Sequence, residues 1–265
     1  MSAGPDEFDQ KRARLLAGLR ELGSLAVAFS GGVDSSVLLH AGRAALGEAC
    51  IAVIADSPSL PRAELHGARE LARSLGAELV VVATEELDDP RYVANAGDRC
   101  YFCKSALFER MSAWARARGV GSLAFGEITD DLLDDRPGAR AAAEFRVRAP
   151  LREAGFDKQD VRRYAREAGL GVADKPASAC LASRLPRGTR VTRERLALVE
   201  VAEAALRGRG YAVLRVRHHG ARALLEVGEG ELERARSERA ELGTLLASFG
   251  YAQFDLGLYL PPALR

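Results

Sequence analysis

The chain has 265 residues, long enough to bury a core in one large domain or in one ordinary domain plus a small one. Hydrophobic residues make up 48% and charged residues 28%, which excludes a disordered or fibrous protein, and 38 Lys and Arg against 37 Asp and Glu argue against a general nucleic-acid binder. The stretch MSAGPDEFDQKRARLL lacks a secretory apolar segment and no apolar run approaches the roughly 20 residues of a membrane span, so a soluble, cytoplasmic protein is expected.

Phe8, Leu15, Leu16, Leu19 and Leu22 recur near helical spacing and Gly23 ends the run, which predicts a helix over 7–22. Residues 25–29 are uniformly apolar, as in a strand buried on both faces of a parallel sheet. A glycine turn and a helix over 35–46 follow. The rhythm continues with a strand over 51–55, a helix over 61–75, a strand over 78–83, a helix over 104–118 and a strand over 122–125. This alternation predicts an α/β fold, a doubly wound parallel sheet, with ligands beyond the carboxyl ends of the strands near Ser30, Asp56 or Ser57, and Gly126.

Residues 127–148 read as a loop with room for one helical turn. A helix over 158–168 precedes a stretch, 174–192, that carries Pro176, Pro186 and Gly188 and has no clear period. The pattern then changes to a helix over 193–207, strands over 211–217 and 223–227, a helix over 231–247 and a strand over 251–255, a small α+β domain. The expected division is a first domain over 1–175, a cysteine-containing linker over 176–192 and a small domain over 193–265.

The run Ala28-Phe29-Ser30-Gly31-Gly32-Val33-Asp34-Ser35-Ser36 sets two glycines and three serines between a buried strand and a helix. Glycines let backbone approach a phosphate, a helix N-terminus offers free N–H groups and the positive end of its dipole, and Ser30, Ser35 and Ser36 add hydroxyls. An anion is expected there. The bland alternative is a tight turn with Asp34 and Ser35 as helix caps. Neither the Walker pattern nor the usual dinucleotide fingerprint is present. SGGVDSS resembles the PP-loop of ATP pyrophosphatases, the group that includes GMP synthetase, NAD synthetase, asparagine synthetase and several thiolation enzymes. The resemblance implies ATP cleavage between the α and β phosphates, with AMP passing to the substrate, pyrophosphate held by the loop, and Asp34 placing Mg²⁺.

Four cysteines in a reducing compartment point to metal binding or catalysis rather than disulfides. Cys180 stands among small residues in KPASACLASR, with Arg184 four residues on, which allows close approach and favours a thiolate. Taken alone it reads as a buried small hydrophobe, and the company it keeps reverses that. Cys100 and Cys103, in DRCYFCK, have the gap that lets two thiolates reach one metal centre, with Cys180 as a third ligand. Three cysteines leave one iron of a [4Fe-4S] cluster open to an extra sulfide. A redox pair with Cys180 as persulfide carrier, and a zinc site, stay open beside it. Cys50 precedes a buried strand and reads as core filler.

FSGGVDSS, DRCYFCK, DDRPGAR, KPASACLASRLPRGTRVT and LRVRHHGARALLEV together resemble the LarE family of ATP-dependent sulfur transferases, over nearly the whole chain. The resemblance implies adenylation of the carboxylates of pyridinium-3,5-biscarboxylic acid mononucleotide and their conversion to thiocarboxylates, in making the nickel-pincer nucleotide of lactate racemase, with sulfide or another donor as sulfur source. It further implies Cys180, Asp34 and Glu203 as catalytic residues, Arg184, Arg215, Arg217 and Glu226 as substrate-binding residues, and a homo-oligomer, hexameric in the family's manner, built through the small domain. As plain surface charges, Arg215, Arg217, Glu203 and Glu226 would instead be solvated. Single-cysteine members place a sacrificed cysteine directly after Ala-Ser. Here Ala179 intervenes and the CxxC pair is added, the spacing of three-cysteine members, so Cys180 is expected to survive turnover as a cluster ligand. The rival readings are a tRNA thiolation enzyme of the PP-loop class, which the near-neutral charge argues against, and a non-catalytic nucleotide- or metal-binding protein.

Overall fold

The structure is a computed structural model and describes residues 6–133, 137–176 and 179–260. Asp134, Asp135 and Arg136 of the DDRPGAR stretch, and Ala177 and Ser178 before the cysteine, lie outside the described residues. The chain groups into two compact units, one made of Met1–Glu86 and Asp98–Ser178, the other of Leu87–Gly97 and Ala179–Arg265.

In the first unit the elements run α1 (Glu7–Glu21), β1 (Leu25–Ala28), α2 (Val33–Leu46), β2 (Cys50–Asp56), α3 (Arg62–Ser74) and β3 (Leu79–Ala83). After α4 (Pro90–Val93), which belongs to the second unit, come α5 (Arg99–Arg118), β4 (Ser122–Phe125), α6 (Pro137–Glu144), α7 (Pro150–Glu153) and α8 (Lys158–Glu167). The strands form one parallel sheet in the order β3-β2-β1-β4, with Leu25 level with Cys50 on one side and Ser122 on the other. Successive strand residues point to opposite faces. Leu25 and Val27 pack with Leu15, Val37 and Val161 from α1, α2 and α8, while Ala26 and Ala28 meet Phe108 and Met111 of α5 and Ala141 of α6. Because β1 is buried on both faces, its LAVA run has no polar position. This is the doubly wound α/β sheet expected from the alternation. The chain steps outward from β1 to β3 and then returns to the far side of β1, so the switch point falls between β1 and β4.

The second unit adds α9 (Arg193–Gly208), β5 (Leu214–His219), β6 (Arg222–Val227), α10 (Leu232–Ser237), α11 (Arg239–Ser248) and β7 (Gln253–Leu258). Its sheet has the order β5-β6-β7, antiparallel then parallel. Leu214, Val216, Ala223, Leu225 and Val227 form a core with Ala202 and Leu206 of α9 and Leu242 and Leu246 of α11. Arg215, Arg217, Leu224 and Glu226 take the alternate positions. Asn95 ties Leu87–Gly97 into this unit: at φ 54° it donates to the carbonyls of Pro186 and Thr189 at 2.8 and 3.0 Å.

Several elements differ from expectation, among them the short helices α4 and α7, which were not expected, and β5, which starts at Leu214 rather than 211. Helix α5 begins at Arg99 rather than 104, which takes the cysteine pair into its first turn. Helix α6 occupies part of the segment read as a loop. It packs through Ala141 and Ala142, too small to give a hydrophobic signal, and Gly138 lies so close that a Cβ would come 3.2 Å from Lys104 Cγ. The helix expected over 231–247 breaks at Glu238, whose carboxylate accepts from the Tyr211 hydroxyl at 2.9 Å and Arg234 Nε at 2.7 Å. The last strand starts at Gln253, because Tyr251 is a core residue 2% exposed. Among the described residues no helix is long and apolar enough to cross a membrane.

Candidate functional site

The SGGVDSS loop leaves the carboxyl end of β1 at the switch point, where open α/β sheets bind ligands. Gly31 is required twice over: its φ is +69°, and a Cβ would lie 3.2 Å from that of Ala68. The three hydroxyls knit the loop to itself. Ser35 Oγ donates to the Gly32 carbonyl at 3.1 Å and accepts from the Ser30 N–H at 3.2 Å, Ser36 Oγ donates to the same carbonyl at 2.7 Å, and Ser30 Oγ accepts from the Gly32 N–H at 3.3 Å. Ser35 and Ser36 are buried and Ser30 is exposed. Gly32 is the N-cap of α2 and offers no side chain to its first N–H groups, so the helix end is open to an anion. Gly126, at the end of β4, abuts the loop from behind: a Cβ there would sit 2.8 Å from Ser35 N.

Asp34, in the first turn of α2, is gripped by Lys158, whose Nζ lies 2.7 and 2.8 Å from its two oxygens. On α3, Glu64 accepts from Lys175 Nζ at 2.7 Å, and that ammonium also reaches the Gly31 carbonyl at 3.3 Å. Two ammonium groups therefore border the loop. Phosphate oxygens fit this end of the sheet, and the Asp34 carboxylate beside them suits Mg²⁺, which takes most of its other ligands from phosphate and water. The Ser57 hydroxyl donates to Glu86 and accepts from the Ser59 N–H at 3.0 Å, bracing the turn after β2. Asp56 pairs with Arg62 at 2.5 Å.

Cys100 is exposed and Cys103 half-buried, both in the first turn of α5. Cys180, also half-buried, is the N-cap of a short 3-10 turn over Leu181–Arg184 in the second unit. Among the described residues no three His, Cys, Asp or Glu side chains group so as to hold a metal ion. Cys50 is core filler as expected: its thiol faces Gly42, where a Cβ would come 2.5 Å from the sulfur, and burial pushes it up to about 12.

In the second unit Glu203 and Arg184 are buried and paired, Nε to Oε1 at 2.8 Å and Nη2 to Oε2 at 3.1 Å. Burial alone would raise the Glu203 carboxyl, but the bonds and charge of Arg184, the Val216 N–H and the charge of Arg207 hold it below the ordinary range. Arg217 sets Nε and Nη2 on Glu226 Oε2 at 3.1 and 2.9 Å. Arg215 stands over the Tyr259 ring at 5.1 Å, its pKa lowered by burial and by the neighbouring Arg184 cation. Lys158, Lys175 and Arg207 are the members that sequence reasoning missed. Lys158 left a signal: a cation at a helix N-terminus opposes the helix dipole, so it needs a carboxylate from elsewhere in the fold.

This sheet and its glycine-turned loop define a doubly wound α/β protein of the PP-loop type. The chain is 35% identical over 255 residues to the pyridinium-3,5-bisthiocarboxylic acid mononucleotide synthase of Lactiplantibacillus plantarum, covering 93% of this chain and 91% of that protein. It belongs to the family of that synthase, the LarE family. It is also 39% identical over 229 residues to an uncharacterized protein of Synechocystis, covering 86% of this chain and 85% of the relative, and 27% identical over 235 residues to one of Methanocaldococcus jannaschii, covering 88% of each. No protein-family model matches the chain.

Proposed function

We propose that the protein is an ATP-dependent sulfur transferase that adenylates the carboxylates of pyridinium-3,5-biscarboxylic acid mononucleotide and converts them to thiocarboxylates. The observation that carries this reading is the match, over 93% of the chain, to a synthase named for the bisthiocarboxylic product. The loop at the switch point supports its ATP half. In the proposed reaction a substrate carboxylate oxygen attacks the α-phosphorus, the bond to the β-phosphate oxygen breaks and pyrophosphate leaves. Sulfide then attacks the acyl carbon and AMP departs with the bonding pair, so each carboxylate consumes one ATP.

We assign the first unit to the nucleotide and the second to the mononucleotide and to contacts in a homo-oligomer. The open end of α2, with Lys158 and Lys175 beside it, is suited to the charge that builds on departing pyrophosphate. Mg²⁺ at Asp34 would supply further neutralisation of that charge. Arg215 is assigned to the substrate's phosphate, which a guanidinium fork binds bidentately. Cys100, Cys103 and Cys180 are assigned to a [4Fe-4S] cluster, which would supply the transferable sulfide at its open iron.

The test is an anaerobic assay with ATP, Mg²⁺, sulfide and the biscarboxylate mononucleotide. AMP and pyrophosphate should appear in equal amounts alongside thiocarboxylate, over repeated turnovers. No pyrophosphate release with this substrate would overturn adenylation. Loss of H₂S from Cys180 after a single turnover would overturn its survival, and protein without iron or acid-labile sulfide would remove the cluster.

A further inference from the structure

The family resemblance makes Arg184 and Glu203 part of the substrate pocket, yet Arg184 is 1% exposed and Glu203 0%. Every nitrogen of the Arg184 guanidinium is engaged within the second unit. Nε and Nη2 take the two Glu203 oxygens, while Nη1 donates to the carbonyls of Ala179 and Cys180 at 2.5 and 2.9 Å and to Ser183 Oγ at 3.1 Å. Glu203 also accepts the Val216 N–H of β5 at 3.1 Å and Arg207 Nη2 at 3.0 Å. Arg217 of β5, held by Glu226, donates to the carbonyl of Ser183 at 2.9 Å. The carbonyls of residues 179, 180 and 183 thus all end on guanidinium groups.

We propose that the Arg184–Glu203 pair, seconded by Arg217–Glu226, is a positioning device that fixes the backbone of Cys180 to α9 and β5 and does not contact substrate. A buried ion pair often adds little stability over an apolar pair of like volume, so its presence calls for another reason. The turn offers one. Leu181 and Ala182 anchor it only beyond the thiol, and besides the Ser183 N–H, which reaches the Cys180 carbonyl at 3.0 Å, the carbonyls of Ala179, Cys180 and Ser183 are taken by guanidinium groups that Glu203 and Glu226 hold. Arginine alone has a fork that can satisfy a carboxylate and two carbonyls together. A thiol that must meet a reacting group cannot drift, since a misplacement near 1 Å can cost about 100-fold in rate.

The proposal rests on the sulfur-transfer reading for its purpose, and its test has one arm that does not. Arg184→Lys keeps the charge but cannot span Glu203 and both carbonyls, and Glu203→Gln weakens the anchor. In iron-chelated full-length protein, iodoacetamide labelling mapped by mass spectrometry should find Cys180 reacting about fivefold faster or more in both variants, with Cys100 unchanged. Sulfur transfer should lose about tenfold or more in kcat with KM for the mononucleotide within about twofold. Labelling of Cys180 at the wild-type rate in folded variants, or a raised KM with kcat kept, would overturn it. Should Arg184→Lys fail to fold, Arg217→Lys decides, with about a twofold rise in labelling expected and no rise counting against. A wild-type protein that transfers no sulfur sinks the functional reading and leaves the labelling result standing.

Discussion

Glu203 is a carboxylate held without water, and its partners decide its charge. Because its folded pKa lies below the ordinary 4.5, its contribution is complete above that value and is lost as pH falls through the folded pKa. Urea midpoints measured against pH should therefore fall less steeply below about pH 4.5 for Glu203→Gln than for wild type. At neutral pH the same substitution should cost about 3–5 kcal/mol, since it leaves the Arg184 cation buried beside a neutral amide. Lys158 gives a second test at this scale. Its ammonium covers both oxygens of Asp34, so Lys158→Met should tighten Mg²⁺ binding to the nucleotide-free protein by about tenfold, read by calorimetry. The loop's serines and glycines were legible because their spacing is local. Their committed hydrogen bonds, and the lysine facing Asp34 across 124 residues of chain, were not.

The elements were legible where burial leaves a pattern. Uniform apolar runs marked β1 and β2, and helical spacing marked α1 and α9. Helix α6 was missed because alanine and glycine serve close approach rather than area, and α5 was begun late because its first turn carries the cysteine pair. Two predictions belong here. Gly126→Ala would press a Cβ within 2.9 Å of two backbone atoms of the loop, so ATP-dependent pyrophosphate release should fall about 100-fold. Asp157 closes a capping box with Asp160 at the start of α8. Asp157→Ala should cost about 1 kcal/mol and lower Tm by about 2–4 °C, checked by calorimetric melting.

At the scale of the molecule each unit has its own apolar core. On the proposed division of labour, Mg²⁺ and ATP should slow amide hydrogen exchange over 29–36, and the mononucleotide over 214–227. Protection of the same segments by both ligands would count against that assignment. The sequence by itself determined the doubly wound sheet, the glycine-turned loop after β1 and the family, because alternating buried runs, a glycine turn and motif spacing are written in neighbouring residues. Only the tertiary structure decided that Leu87–Gly97 groups with the second unit, that Lys158 and Lys175 border the loop, and that Arg184 and Glu203 hold each other and the cysteine turn. Those outcomes depend on which distant charges and carbonyls folding brings within hydrogen-bond reach, and a charged residue in a sequence looks the same whether it ends in water or in a buried pair.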